Sequence, residues 1–447
     1  MKIAVIGGGA SGLTAAIAAA RNGAQVTVFE RNDKVGKKIL VTGNGKCNIS
    51  NVSLSEEFYY SEDRDFVVSA FNKFGFDETM SYFKGLGLLL TEKRGGIYPY
   101  SEQASAVLDA LRFEAESLNV VVNTDCMVTC IEHTNKNDYR IDYEHFIRIE
   151  EDKNKSSSKE KNKSTKNLDV KNKDVKNKDI KNKTVVSVEN KKMYFDRVII
   201  STGGKAAPKT GSDGNGYKLV EKLGINVTKT YPALIGLRCS GDFWKSISGV
   251  RCNAQVIVAA DGKVLAKDRG ELQLTDYGVS GIPVFQVSRT ASKALDEKRK
   301  VSVTIDFMPD ISADELISEC NFRLLLVSDR TKEQFFNGFF NKKLVIMFLK
   351  TLGLNPNDRI TIEDIERVVG LVKAFKANVV ADNGFDQAQV TAGGVPLHEI
   401  NENFESKKHK GLFLTGEILD VDGKCGGYNL QWAWTCGYIA GEAAAKC

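Results

Sequence analysis

The chain reads as an α/β protein built on a parallel sheet, and three observations carry that reading. Lys2-Ile-Ala-Val-Ile6 is an apolar strand that runs straight into Gly7, Gly9 and Gly12. An alanine-rich helix over Leu13 to Asn22 follows, and then a second apolar run, Gln25-Val-Thr-Val-Phe29, ending on Glu30. Strand, glycine turn, helix and strand in this order make a βαβ unit, whose two strands must lie parallel.

Each part of the unit has a physical reason. Gly7 permits the tight turn, Gly9 lets backbone approach a pyrophosphate, and Gly12 lets the helix pack against the strand. Ala10 and Ser11 open the helix, so its free N–H groups face the phosphates. Glu30, followed by Arg31, stands about twenty residues past the glycines, where a carboxylate accepts both hydroxyls of a ribose. Such a carboxylate favours an unphosphorylated ribose, so FAD or NAD fits better than NADP.

The 447 residues suffice for two or three domains. No apolar run approaches the ~20 residues that span a bilayer. The first residues already form a cofactor strand, with no signal peptide ahead of them, and the nine cysteines are scattered without a C-x-x-C. A cytoplasmic protein with reduced thiols is therefore expected, without a membrane partner. His133, His145, His398 and His409 make no metal-ligand spacing.

The net charge of +5 is concentrated: residues 151 to 183 hold twelve lysines against six acids. Three five-residue copies begin at Asp169, Asp174 and Asp179, a period that suits neither helix nor strand. Residues 148–184 are expected to form a disordered lysine-rich loop. It lacks aromatic side chains for base stacking, which argues against a nucleic-acid partner.

Along the chain, Ser105 to Leu118 reads as a helix, and Val120 to Asn123 as a strand that brings Val128 near the cofactor. Tyr139 to Ile149 and Thr184 to Val188 read as a hairpin with an overgrown tip. Lys192 onward reads as one strand ending at Thr202-Gly203-Gly204. From Tyr231 short strands dominate (Leu234 to Arg238, Ala254 to Ala260, Lys263 to Lys267, Val301 to Phe307), and Ser312 to Leu371 is mostly helical, broken at Asn355-Pro356. A strand and turn at Lys410 to Glu417 and a closing helix over Leu430 to Ala445 return to the first theme. The expected organisation is a discontinuous cofactor domain, 1–230 and 375–447, with a β-rich insertion at 231–310 and a helical one at 311–374.

Two further segments carry candidate chemistry. Gly36 to Asn48 looks like a phosphate loop, but Leu40 and Cys47 stand where the Walker pattern needs glycine and Ser or Thr. Its amides and Lys38, Thr42, Gly43, Asn44, Gly45, Cys47 and Asn48 suit a loop over a flavin instead. Gly416-Glu417 places a carboxylate where it can bind the sugar-alcohol chain of a flavin. Asp420 to Gln431, with Gly426, Gly427, Tyr428, Asn429 and Leu430, opens the last helix, whose dipole suits negative charge on a reduced ring.

Six separated motifs together resemble the BaiN-type (YhiN-like) family of NAD(P)/FAD-dependent oxidoreductases. They are Gly7 to Gly12, Thr42 to Asn48, Thr202 to Gly204, Thr210 to Tyr217, Thr391 to Val395, and Gly416-Glu417 with Gly426 to Leu430. Lys46 stands where arginine is common in the motif. The resemblance implies a two-dinucleotide-binding-type flavoprotein fold, a Rossmann-like FAD domain with β-rich and helical insertions. It also implies non-covalent FAD, NADH or NADPH as electron donor, and reduction of a small molecule's conjugated double bond, as in bile-acid intermediates. A proton donor is needed, and Tyr98, Tyr100, Tyr277 and Tyr428 qualify by chemistry alone. Two other readings remain open at this point: an FAD oxidase or dehydrogenase of an amine or hydroxy compound, and a flavin-containing RNA-binding or RNA-modifying protein.

Overall fold

The computed structural model describes residues 1–134, 136, 138–149 and 184–446. Lys2–Ile6 pairs in parallel with Gln25–Phe29, and the helix Ala10–Arg21 joins them. Around this unit stands a five-stranded sheet in the order Leu412–Leu414, Arg197–Ile200, Lys2–Ile6, Gln25–Phe29, Val121–Asn123, with every pair parallel. The inner strands are buried on both faces, which is why they read as continuous apolar runs. Gly7, Glu30, Ser201 and Thr415 all follow the carboxyl ends of their strands, the edge at which open α/β sheets bind ligands.

Cys126–His133, Tyr139–Ile149 and Thr184–Phe195 form an antiparallel sheet in which Thr184 faces Ile149. The lysine-rich segment between these last two strands lies outside the described residues. The long strand expected from Lys192 breaks at Asp196. Its N–H donates to the Lys2 carbonyl and its carboxylate accepts from the Lys2 N–H at 2.6 Å, so the chain turns and Arg197–Ile200 enters the parallel sheet.

The middle of the chain closes a six-stranded barrel. Its order is Leu237–Cys239, Gly278–Gly281, Lys263–Thr275, Arg251–Ala260, Val301–Asp306 and Phe375–Asp382, the last pairing back with the first. Phe375–Asp382 was expected to begin the return to the cofactor domain, yet it is the barrel's closing strand. Ile282–Asp296 is a helix that strand spacing did not suggest; Gly281 precedes it and Pro283 sits in its first turn. The helices Ala313–Leu326, Lys332–Phe336 and Ile362–Lys373 each start on a capping box, at Ser312, Thr331 and Thr361. Lys342–Thr351 ends before Pro356, as its sequence requires.

Among the described residues two large apolar cores stand out, beside a small cluster of Ala206, Ile235 and Ala388. One runs from Ile3 to Ile225 and resumes from Val395 to Ala444; the other gathers Leu237 to Val379. The first is built around the parallel sheet, against which the closing helix Tyr428–Lys446 packs beside Ala10–Arg21. Among the described residues no helix is long and apolar enough to cross a membrane.

Candidate cofactor and substrate site

A cavity of about 940 Å³ opens at the carboxyl ends of the parallel strands. Gly7, Gly9, Ala10, Ser11, Glu30, Arg31, Val128, Thr202 and Gly203 line one part of it. Gly9 caps the helix Ala10–Arg21 without a side-chain hydrogen bond, and no acid stands in the first turn, so the positive end of the helix is uncompensated. A methyl group at Gly9 would meet nothing within 4 Å, whereas one at Gly12 would overlap the Gly7 carbonyl. Gly9 therefore faces open space, and Gly12 serves helix–strand packing behind the wall.

Glu30 is buried, with one carboxylate oxygen accepting from Gly8 N–H at 2.9 Å. The other accepts from Asn32 N–H at 2.9 Å and Asn32 Nδ2 at 2.8 Å. Burial pushes its carboxyl up from the ordinary value, against the pull of these bonds. A carboxylate offers about four lone-pair positions, so acceptor capacity remains for a hydroxyl. Arg31 pairs with Asp213 beside it.

The loop Thr42–Gly45 and its continuation to Asn48 form the opposite wall with Gly426, Gly427, Asn429 and Leu430. Asn44 and Cys47 hold φ of 55° and 59°, the left-handed region that side chains rarely adopt and that clusters at ligand sites. Lys38 and Glu417 also line the cavity, but they face each other at 2.5 Å, and the second Glu417 oxygen accepts from Thr391 N–H at 2.8 Å. The Glu417 carboxylate, expected to bind the sugar-alcohol chain, therefore lines the cavity already paired with Lys38 and Thr391. Leu234, Ile282, Ala388 and Val390 add an apolar side to the cavity.

Several expected residues support the site without lining it. Cys47 is fully buried, and burial pushes its thiol up to about 12, so it is a packing residue of the loop rather than a redox thiol. Gly416 is pressed against Ser11 and donates its N–H to the Cys436 sulfur; Gly204 lies against Thr391. Asp420 accepts from the Thr228 hydroxyl at 2.7 Å, and Tyr428 stacks among Phe58 and Tyr59. Gly45 is exposed at the loop tip.

Sequence reasoning missed other residues. Gly8 and Asn32 orient Glu30, and Thr210, Ser212, Asp213, Asn215 and Gly216 line the cavity. Trp432 lines it from the closing helix. The Thr210 to Tyr217 motif was the available signal for the first group; Trp432 had none.

The residues fit an elongated dinucleotide. Thr202 Oγ1, Asn48 Oδ1 and Trp432 Nε1 are buried atoms of cavity residues with no hydrogen-bond partner among the described residues. Buried polar groups ordinarily find partners, so three orphans around one cavity ask for a polar ligand. Glu30 and the helix N-terminus have the chemistry that would suit a ribose and a phosphate.

The model of the HI0933-like protein Rossmann domain matches residues 1–153 and 154–443. The chain is 37% identical over 451 aligned positions to the 3-dehydro-bile acid delta(4,6)-reductase of Clostridium scindens, covering 100% of this chain and 99% of the relative. It is 26% identical to the ribosomal RNA dihydrouridine synthase of Haemophilus influenzae, over 99% of this chain and 98% of that one. Among solved structures, a 3-ketosteroid-delta4-(5alpha)-dehydrogenase from Rhodococcus jostii aligns at a TM-score of 0.48 and 14% identity, over 100% of this chain and 96% of the other.

Proposed function

The chain belongs to the HI0933-like family, and from that membership we propose that it is a flavin-dependent reductase of carbon–carbon double bonds conjugated to a carbonyl. The observation that carries the reading is the 37% identity to a bile-acid reductase along the whole of both chains. The proposed cofactor is FAD, held without a covalent bond, and the proposed donor is NADH or NADPH.

When bound, FAD supplies the two-electron carriage between nicotinamide and alkene. The rest falls to the protein. Glu30 holds the ribose through its remaining lone pair, and the N-terminus of Ala10–Arg21 holds the pyrophosphate. Gly9 leaves the room that phosphate oxygens need. Lys38 and Glu417 neutralise one another, which leaves the middle of the cavity without net charge. The first turn of the closing helix, behind Gly426 and Gly427, favours negative charge beside it. Leu234, Ile282 and Val390 exclude water from the substrate's apolar face.

Anaerobic mixing with NADH or NADPH tests the donor: the flavin absorbance should bleach within one turnover. No bleaching with either would contradict the reductase reading and leave an oxidase.

A second reading shares the chemistry and changes the substrate. Dihydrouridine differs from uridine by two hydrogens across a double bond conjugated to a carbonyl, and the 26% relative covers 99% of this chain. Lys46, Lys93 and Arg94 at the cavity wall would then face phosphates. Reoxidation of the reduced enzyme by an unmodified ribosomal RNA fragment, and not by a steroid enone, would select this reading.

A further inference from the structure

Reducing a conjugated double bond takes a proton as well as a hydride, and the cavity wall narrows the choice of proton donor. Of Tyr98, Tyr100, Tyr277 and Tyr428, only Tyr98 lines the cavity. Tyr100 is 67% exposed, Tyr428 stacks on Phe58, and the Tyr277 hydroxyl lies against Gly236 under the Arg238 guanidinium. Strand alternation explains the placement. In Gly96–Pro99, Ile97 turns into the core, so Tyr98 turns to the opposite face, toward the flavin loop.

The ring stands against that loop, since a methyl group at Gly43 would lie 3.6 Å from Tyr98 Cε1. Asn48 joins the two walls there: its side chain would meet methyl groups placed at Gly96 and at Gly427, each at 2.9 Å. Tyr98 therefore sits where the flavin loop meets the start of the closing helix. Glu30, Arg31 and Asp213 mark the nucleotide part of the cavity.

The lysines near Tyr98 are committed, whereas the Cys425 thiol, also in the cavity lining, is a rival proton-bearing group beside it. Lys46 and Lys93 both pair with Glu102, and Lys38 pairs with Glu417. Tyr98 itself is half-buried. Burial, with Cys425 beside it, pushes the hydroxyl up from its ordinary value, and the Lys46 charge opposes that rise by favouring the tyrosinate.

We propose that Tyr98 is the general acid of the reduction. As the β-carbon takes a hydride, the π pair shifts toward the carbonyl and the α-carbon takes the Tyr98 hydroxyl proton. The O–H bond breaks, a C–H bond forms, and solvent returns the proton to the tyrosinate. The two electrons arrive with the hydride and originate from NADH or NADPH. The proposal rests on the enone-reductase reading.

The test separates half-reactions in wild type and Tyr98→Phe. Flavin content, flavin spectrum, Tm and bleaching by NADPH should match. Ferricyanide, which takes electrons without a proton, should reoxidise both at equal rates. Reoxidation by a 3-dehydro-Δ4,6 bile acid should be ~10²- to 10⁴-fold slower in the variant, and the wild type's solvent deuterium isotope effect should change in it. Equal reoxidation by the enone would overturn the assignment, as would a loss in Cys425→Ala in place of Tyr98→Phe. If wild type reacts with ferricyanide but not with the enone, the reductase reading itself fails, and the proposal with it.

Discussion

Gly9 and Gly12 stand three positions apart under opposite constraints, so they separate binding from folding. At Gly9 the space ahead is empty to 4 Å, and a methyl group there would occupy room that a phosphate needs. Gly9→Ala should keep the Tm of the cofactor-free protein and weaken FAD binding at least about tenfold, or about 1.4 kcal/mol, by fluorescence titration. Gly12→Ala should instead lower Tm, because its methyl overlaps the Gly7 carbonyl. A Gly9→Ala protein with unchanged FAD affinity would show that the pyrophosphate lies elsewhere. These glycines were legible because turn geometry limits which residue a position accepts. Asn32 was not: its role depends on reaching both Glu30 and the Thr210 carbonyl, and the second lies far along the chain. Cys47 belongs to the loop, but membership of the loop does not say which way a thiol points, and the fold turns it inward.

Elements meet through residues whose spacing is visible only once the partner is known. Gly437 and Gly441 lie one turn apart on the closing helix, and methyl groups there would overlap the Ser11 and Ala15 carbonyls of the first helix. Gly441→Leu should destabilise the fold by at least about 1–3 kcal/mol in urea titration, the usual cost of overpacking; no change would mean the helices can separate. The helix Ile282–Asp296 meets the cofactor side through Gln286, on Cys425, and Arg289, on Asp422 at 2.9 and 3.0 Å. Burial pushes the Asp422 carboxyl up to about 7 from an ordinary 3.8, outweighing Arg289. The folded state thus retains a proton that the unfolded chain loses. The resulting stability is full below about pH 4 and falls away as pH rises through about 7. Asp422→Asn should remove that slope from a Tm-against-pH series, and an unaltered slope would assign it to other groups. Gly281 and Pro283 were usable helix-start signals, but flanking strands drew the reading toward a β-rich module.

At the scale of the molecule, the parallel sheet was legible because each strand is short, apolar and followed by its own turn or helix. The barrel was not, because its closure joins Leu237–Cys239 to Phe375–Asp382 across an intervening helical module. Three residues of strand carry no periodicity, so only the pairing reveals them. Leu234 before the barrel, Ile282 within it and Val390 after it all reach the cavity lining, which explains why the cofactor was readable and the substrate side was not. Cofactor motifs are contiguous turns, whereas the substrate surface is assembled from segments well separated along the chain. The central claim is that this composite cavity delivers hydride to a conjugated double bond. Its most direct measurement is anaerobic stopped-flow of NADPH-reduced enzyme mixed with a 3-dehydro-Δ4,6 bile acid. Oxidised flavin absorbance should return in step with loss of the dienone absorbance, one equivalent for one. Flavin that stays reduced while the dienone persists would contradict it.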